Sequence, residues 1–270
     1  MTHPIRTSRF STAVALAEAA HAGQTRKGTD LPYLLHPLAV ASLVIEYGGD
    51  EDQAIAGLLH DVIEDGGQHY ESIIADAFGP RVLQMVLACT DGSKEHKARA
   101  VTAADKAADW RQRKLEYLER LMHETPDALL VSACDKLHNV RAIIADLRVH
   151  GAGVFARFTT GCDGTLWYYG AVRDVLNARG IAPARDLAAE VATLCQLAAE
   201  PDDPQPLADA LAAQLDGEGR RQLLRLTATL EARAQHALAG ATRALGEWSR
   251  HQQTLLALRM QMSDGAQGGH

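Results

Sequence analysis

The chain has 270 residues, of which 47% are hydrophobic and 23% charged, a composition typical of a globular protein with one sizeable core. Its formal net charge of −7 arises from 27 basic and 34 acidic residues, which argues against a general nucleic-acid binder. We find no signal peptide, no apolar run of transmembrane length, and no zinc or redox spacing among the four cysteines. We therefore expect a cytoplasmic protein with reduced thiols that contacts neither membranes nor nucleic acid.

The first fifth of the chain is predicted to form two helices separated by a basic turn. Apolar periodicity indicates helices over residues 8–22 and 38–47. Pro37 suits the first turn of the second helix. The turn between them contains Arg26 and Lys27, in a stretch broken by glycine and proline.

The next predicted helix, over residues 50–65, carries the most unusual pattern in the sequence. Asp50 is its predicted N-cap, with Gln53 as the capping-box partner. From residue 58 to residue 65 apolar and ionisable residues alternate in pairs. At about 100° per residue, the apolar pairs form a core face and the ionisable pairs an acidic wall on the other side. Such a wall is either a solvated helix face or one side of a cation site.

The remaining segments also favour helices. Residues 70–77 and 81–89 have helical patterns, and strong helices are predicted over residues 114–124 and from Pro126 onward. Residues 91–113 are polar and charged, which predicts a mobile loop or short helices. Because no run has the pattern of a β-strand, we expect an all-α protein.

Two ionisable residues outside the acidic wall could complete a metal site. His36 stands at a predicted loop–helix junction, and Asp135 interrupts an apolar helix, where an unpaired carboxylate is costly. Asp135 either pairs with Lys136 or Arg141, or shares a cation with the acidic wall. The candidate ligands are His36, His60, Asp61 and Asp135. This nitrogen–oxygen set suits manganese, iron, zinc or magnesium and leaves positions for water and substrate.

In this order and spacing, the motifs resemble those of HD-domain metal-dependent phosphohydrolases. They are His36-Pro37, His60-Asp61 followed by Glu64-Asp65, and Asp135-Lys136-Leu137-His138-Asn139. The closer resemblance is to the hydrolase domain of the RelA/SpoT proteins and to small alarmone hydrolases, over roughly residues 8–150. It is carried by Arg26-Lys27-Gly28, Pro32-Tyr33, and Phe78-Gly79-Pro80 with Thr90-Asp91 after it.

The resemblance implies a role for each matching residue. One divalent metal, usually manganese, is expected on His36, His60, Asp61 and Asp135, although another divalent metal could serve. The pair that positions and deprotonates the attacking water corresponds to Glu64 and Asp65. The nucleotide-binding residues correspond to Arg26, Lys27 and Asn139. Tyr168 or Tyr169 either stacks on the base or packs in the core, and His21 and His138 are expected to be surface or packing residues.

The resemblance also implies an HD-domain helical bundle, which we assign to residues 1–180. Residues 181–270 are predicted to form a C-terminal helical extension with a disordered tail after about residue 262. Such helices suit homo-oligomerisation or regulation. They lack the mixed strand–helix pattern that an alarmone synthetase domain would need.

The implied activity is hydrolysis of the 3′-diphosphate of the stringent-response alarmones ppGpp and pppGpp, giving GDP or GTP and pyrophosphate. The substrate partner would thus be a small nucleotide. Residues 91–113 are longer than in the RelA/SpoT enzymes and differ in composition, so adenosine alarmones or NADPH remain alternative substrates. In that family this segment contributes basic contacts to the diphosphates, and the residues that could do so here are Lys94, Lys97, Arg99, Lys106, Arg111 and Arg113. A general HD nucleotidase and a non-catalytic alarmone sensor are more distant alternatives.

Overall fold

The computed structural model describes residues 8–91 and 102–199, together with residues 218, 219 and 225. The backbone divides into two compact units, Met1–Asp202 and Asp203–His270. The described residues of the first unit form helices and no β-strand, with one isolated bridge between Thr25 and Pro32. The predicted all-α fold class is therefore confirmed for the described part of the chain.

The helices of the first unit are short before residue 91 and longer after it. In chain order the α-helices are α1 (Ser8–Ala20), α2 (Leu35–Glu46), α3 (Glu51–Leu59), α4 (Val62–Gly66), α5 (Tyr70–Phe78), α6 (Pro80–Cys89), α7 (Ala103–His123), α8 (Pro126–His150), α9 (Gly161–Arg179) and α10 (Ala184–Ala199). A 3-10 helix, Gly151–Arg157, follows α8 directly. None of these helices is both long and apolar enough to cross a lipid bilayer.

The long helix α8 contributes to two apolar cores. Val131 and Cys134 pack with the buried residues of α1 to α6. Leu137 and Val140 pack with those of α7, α9, α10 and the 3-10 helix. Asp135 therefore lies in the middle of α8, at the point where the two cores meet.

The prediction of one continuous helix over residues 50–65 is wrong. Its capping box is present, since the Asp50 side chain accepts from the Gln53 amide and the Gln53 side chain accepts from the Asp50 amide. However, α3 ends at Leu59 and α4 begins at Val62, with a turn at His60 and Asp61 between them.

This turn changes which residues are buried. The apolar pairs are in the core as predicted, and their four side chains are fully or almost fully buried: Leu58, Leu59, Val62 and Ile63. His60 is also buried, with 1% of its surface exposed, rather than standing on an outer wall. The interruption of the helix lets the imidazole enter the protein while Glu64 and Asp65 stay half-buried on α4.

The prediction of a loop or short helices is also wrong for residues 103–113, which form the first half of α7. Thr102 caps this helix in a capping box with Asp105. The buried residues of α7 are Tyr117, Leu118 and Leu121. Because all three lie in its second half, the apolar pattern predicted only that half. Residues 92–101 lie outside the described residues.

The C-terminal part of the chain is described only in part. The predicted boundary at residue 180 falls inside the first unit, because α10 follows it and buries Leu187, Val191 and Leu194 in the second core. The division of the chain at that point stays a prediction. The rest of the helical extension and its disordered tail lie outside the described residues, apart from positions 218, 219 and 225, so their role in oligomerisation also stays a prediction.

Arg179 at the end of α9 is expected to stabilise the fold measurably. Its guanidinium donates to the carbonyls of Leu121 at 3.0 Å, Met122 at 2.7 Å and Glu124 at 2.8 Å, which are the unpaired carbonyls at the end of α7. Arg179→Ala should lower the free energy of unfolding by about 2 kcal/mol, because a cation at a helix C-terminus and three charged hydrogen bonds are lost.

Urea unfolding followed by circular dichroism measures this effect. Arg173→Ala on the same helix is the control, since among the described residues Arg173 pairs with its exposed neighbour Asp174, and it should change stability by less than about 0.5 kcal/mol. Equal losses in the two variants would show that the contacts of Arg179 with the end of α7 contribute nothing.

Candidate metal centre

The structure brings the four predicted metal ligands together. His36 lies in the first turn of α2, His60 and Asp61 form the turn before α4, and Asp135 lies on α8. The Nε2 atoms of the two histidines are 3.2 Å apart. Asp135 Oδ1 is 3.1 Å from His36 Nε2 and 3.5 Å from His60 Nε2. Asp61 Oδ2 is 2.9 Å from His60 Nε2 and 3.7 Å from His36 Nε2.

These separations fit donor atoms that share one metal ion. Donors about 2.1 Å from a cation are about 3.0 Å apart at neighbouring octahedral corners and about 3.4 Å apart in a tetrahedron. The ligand atoms of His36, His60 and Asp135 all lie within 4.8 Å of one another. Two carboxylates in so buried a place also require positive charge. The residues therefore fit a divalent metal ion, without selecting which one.

Hydrogen bonds on the far side of both imidazoles direct Nε2 towards this centre. His60 Nδ1 lies 2.8 Å from the carbonyl oxygen of Gly57; because a carbonyl only accepts, Nδ1 carries a proton, and Nε2 is the nitrogen that can present its lone pair to a metal. His36 Nδ1 lies 2.8 Å from His138 Nδ1. Burial, with help from His36 and Arg26, lowers the pKa of His138 to about 4. A neutral His138 can accept a hydrogen bond from the Nδ1–H group of His36, which leaves His36 Nε2 free to bind a metal.

The electrostatics of the centre favour a positive charge. Burial alone would lower the pKa of His60, but Asp61 and Asp135 raise it well above its usual value. Burial would raise the pKa of Asp61, but the charge and hydrogen bond of His60 hold it below its usual value. The hydroxyl of Tyr33 also donates to Asp61 Oδ2, at 2.5 Å. Asp61 is therefore an oriented, ionised carboxylate.

Asp135 divides its two oxygens between a structural partner and the centre. Lys136 Nζ lies 2.6 Å from Asp135 Oδ2, while Oδ1 faces the histidines and accepts from Asn139 Nδ2 at 2.6 Å. Burial would raise the pKa of Asp135, and Lys136 followed by His60 keep it well below its usual value. Lys136 is therefore the basic partner of Asp135, whereas Arg141 bonds Glu190. The sharing of a cation through Oδ1 stays a prediction.

Glu64 and Asp65 lie on α4, directly after the turn that carries His60 and Asp61. Glu64 Oε2 accepts from the backbone amide of Asp91 at 2.9 Å. Asp65 Oδ2 accepts from Gln24 Nε2 at 2.8 Å. Each carboxylate is therefore held by a donor that does not belong to the four-residue centre.

A cavity of about 370 Å³, which we call the basic cavity, is lined in part by Glu64 and Tyr168. Its cationic lining residues are Lys27, Arg113 and Lys114. Lys114 is half-buried and bonds the Asp91 carboxylate; partial burial lowers the pKa of Lys114, and Asp91 opposes that shift. The cavity therefore combines three basic side chains with two carboxylates, those of Asp91 and of Glu64 on α4.

Not every basic residue that the sequence offered for anion contacts reaches this cavity. Arg113 does, whereas the guanidinium of Arg111 lies 4.0 Å from the ring centroid of Trp167. Lys114 was not among those candidates, because the sequence pattern indicates only that it begins a helix. Lys106 is exposed and does not line the cavity. The candidates outside the described residues are Lys94, Lys97 and Arg99.

An adjoining cavity of about 300 Å³, the Arg26 cavity, contains the predicted nucleotide-binding residues. It is lined by Arg26, Lys27, Tyr33, Asn139 and Tyr169 among others. Arg26 donates to Asn139 Oδ1 at 3.2 Å, although the two residues are far apart in sequence. The two cavities share Lys27, Phe158 and Tyr169, so one extended ligand could occupy both.

Tyr168 and Tyr169, predicted either to stack on the base or to pack in the core, lie both in the core and at a cavity wall. Both side chains are buried in the second core, and each contributes to the wall of a cavity. The hydroxyl of Tyr168 is buried without a hydrogen-bond partner among the described residues. Packing is therefore their common role, and base stacking stays a prediction.

Comparison with known proteins agrees with this geometry. A family model described as HD domain matches residues 13–164. The guanosine-3′,5′-bis(diphosphate) 3′-pyrophosphohydrolase of Aquifex aeolicus is 33% identical over 142 residues, or 52% of this chain and 18% of that protein. The GTP pyrophosphokinase of Streptomyces coelicolor is 36% identical over 134 residues, or 48% of this chain and 14% of that protein.

A solved structure is also similar. It is that of a metazoan ortholog of SpoT, described as hydrolysing ppGpp, with a TM-score of 0.54 and 26% identity over 71% of this chain and 96% of that one. By contrast, the chain spans less than a fifth of the length of the two curated relatives. Because the family match covers more than half of its residues, the chain belongs to the HD-domain family, and its HD region is similar in sequence to SpoT/RelA-type proteins.

Proposed function

We propose that this protein hydrolyses the 3′-diphosphate of ppGpp and pppGpp, with manganese as the metal and the cytoplasm as its location. The observation that carries the proposal is the convergence of two histidines and two aspartates beside a carboxylate pair and a basic cavity. The names of the Aquifex and metazoan relatives support the same substrate. The name of the Streptomyces relative carries less weight, because the match covers 14% of that protein.

The chemistry requires a nucleophilic water and a stabilised leaving group. A divalent cation on His36, His60, Asp61 and Asp135 would lower the pKa of water and neutralise phosphate charge. Glu64 and Asp65 position the attacking water and accept its proton. The water oxygen bonds to the phosphorus attached to O3′, the P–O3′ bond breaks, O3′ takes up a proton, and pyrophosphate leaves.

The two cavities suit the two ends of such a substrate. Lys27, Arg113 and Lys114 surround the basic cavity and can pair with phosphate oxygens. In the Arg26 cavity, the planar guanidinium of Arg26 can lie against a base, while Asn139 can hydrogen-bond the sugar. The reacting phosphorus would then lie between the basic cavity and the Arg26 cavity, near the carboxylates of Glu64 and Asp65 on α4.

Arg26→Ala is expected to weaken nucleotide binding more than metal binding. Loss of the guanidinium removes a stacking and hydrogen-bonding group worth about 1–3 kcal/mol, so KM for ppGpp should rise at least about tenfold. Manganese content, measured by plasma mass spectrometry, should stay at the wild-type level, because Arg26 is outside the donor set. Arg148→Ala, at an exposed position on α8, is the control and should leave both quantities unchanged. Equal loss of metal and nucleotide would indicate a structural role.

Product analysis by ion-exchange chromatography tests the proposed reaction itself. Purified protein is incubated with ppGpp, its adenine counterpart or NADPH, each with manganese and with chelator. We expect manganese-dependent release of GDP and pyrophosphate from ppGpp. Turnover of only the adenine alarmone or NADPH would keep the mechanism and change the substrate. Binding of ppGpp without turnover of any compound would favour the non-catalytic sensor.

A further inference from the structure

Gln24 connects a buried histidine to one of the two α4 carboxylates. Its Nε2 atom lies 2.8 Å from Asp65 Oδ2, and its Oε1 atom lies 2.8 Å from His21 Nδ1. An ionised carboxylate only accepts hydrogen bonds, so the amide nitrogen must face Asp65. The amide oxygen then faces His21, which must carry its proton on Nδ1. The three side chains form one directed sequence of donors from His21 through Gln24 to Asp65.

The amide bridges a gap that the histidine cannot span. His21 Nδ1 is 3.9 Å from Asp65 Oδ2, which is too long for a hydrogen bond. Gln24 itself is anchored at its backbone, because its amide donates to the His21 carbonyl at 3.0 Å and its carbonyl accepts from the Tyr33 amide at 2.9 Å. Asp65 is therefore held through one fixed side chain.

His21 is held in a way that also reaches the metal centre. It is 4% exposed, and its ring centroid lies 4.7 Å from that of Tyr33. The hydroxyl of Tyr33 donates to Asp61, a candidate ligand. The segment over residues 21–33 thus contacts both Asp61, through Tyr33, and Asp65, through Gln24. These contacts fix the positions of the two carboxylates relative to each other.

The other ring nitrogen of His21 has an unfavourable environment. His21 Nε2 is buried and has no hydrogen-bond partner among the described residues. An unpaired buried acceptor is destabilising, and an apolar ring would fill the same space without that cost. A histidine in this position is therefore explained by what its Nδ1 atom does for Gln24.

We propose that His21 and Gln24 are positioning residues that hold the Asp65 carboxylate for hydrolysis, which rests on the function proposed above. With Oδ2 bound to Gln24, rotation of the carboxylate is restricted, and Oδ1 is the oxygen left to orient the attacking water. Neither His21 nor Gln24 contacts the reacting atoms in this arrangement. Their effect on the reaction passes entirely through Asp65.

Substitution of Gln24 tests this inference. Gln24→Met keeps the length of the side chain and removes both hydrogen bonds. We expect kcat for ppGpp to fall about 10- to 100-fold, the range found when partners that orient site residues are removed, with KM and manganese content unchanged. The control is Gln68→Met, the same substitution at an exposed position three residues after Asp65, and it should have wild-type kcat. A Gln24→Met protein with wild-type kcat would overturn the inference.

Coupling between variants separates positioning from a general structural role. In an Asp65→Asn background, Gln24→Met should lower kcat by less than about twofold, because the residue that it positions is already disabled. A drop as large as in the wild-type background would overturn the inference. His21→Phe keeps the ring contact with Tyr33 and loses the donor, so it should lower kcat about 3- to 10-fold, again only while Asp65 is present. It provides the same test if Gln24→Met does not fold.

The outcome for the wild-type protein distinguishes this inference from the proposed function. If the wild-type protein releases no pyrophosphate from ppGpp, the proposed function and the positioning role are both wrong. If it does so and the Gln24 and His21 variants keep its kcat, the positioning role is wrong while the proposed function stands.

Discussion

Asp61→Ala is expected to abolish metal binding and to lower turnover of ppGpp by at least about 10³-fold. Loss of residues that merely orient metal ligands already costs about 10- to 100-fold, and Asp61 is a candidate ligand itself. Its Oδ2 atom is 2.9 Å from His60 Nε2, and the residue supplies one of the two negative charges of the centre. Without it, two imidazoles and one carboxylate remain, a weaker set for manganese.

Metal content and activity should be measured on the same samples. Purified protein is stripped with chelator, reloaded with manganese, desalted and assayed by plasma mass spectrometry and by pyrophosphate release. Asp61→Asn separates charge from shape, because it keeps the size of the side chain and removes its charge. Asp76→Ala, an exposed position on α5, is the control. Full metal content and turnover in Asp61→Ala would show that the metal centre is wrongly assigned.

The local features of this fold could be predicted from the sequence. The burial of Leu58, Leu59, Val62 and Ile63 follows from the alternation of residue types. The capping box of Asp50 and Gln53 follows from their spacing. In both cases the cause lies within a few residues of its effect, so a local pattern contains it.

The interruption at His60 and Asp61 could not be predicted in this way. A helical wheel assumes that the helix continues, and neither residue is a helix breaker. The turn is explained by the interior position of His60, whose imidazole must meet His36 and Asp135 from other helices. Local propensity says nothing about such a requirement.

The contacts around the site were also out of reach of local patterns. Gln24 and Asp65 are 41 positions apart, and His36 and His138 are 102 positions apart. Nothing in the periodicity of either segment indicates which polar residues will pair across elements. His21 and His138 therefore read as packing or surface residues, although the structure gives each a partner near the site. The motif resemblance identified the candidate ligands but not these partners.

Glu64→Gln is expected to bind metal and nucleotide normally and to hydrolyse about 10²- to 10⁴-fold more slowly, the range found for loss of a general base. The backbone amide of Asp91 donates to Glu64 Oε2 at 2.9 Å. In the variant, only the amide oxygen can accept this bond. The amide group would therefore keep its place and turn its NH₂ towards the site, where it can donate but cannot take a proton from water.

This orientation makes the variant a specific test of proton transfer. Single-turnover pyrophosphate release measures the hydrolytic step, and calorimetry with ppGpp and manganese measures binding separately. Glu119→Gln is a control that makes the same chemical change at an exposed position on α7, and it should match the wild type in both assays. A loss of ppGpp binding in Glu64→Gln would instead indicate that Glu64 holds the substrate. A wild-type rate would remove Glu64 from the reaction and leave Asp65, held by Gln24, as the acceptor of the proton.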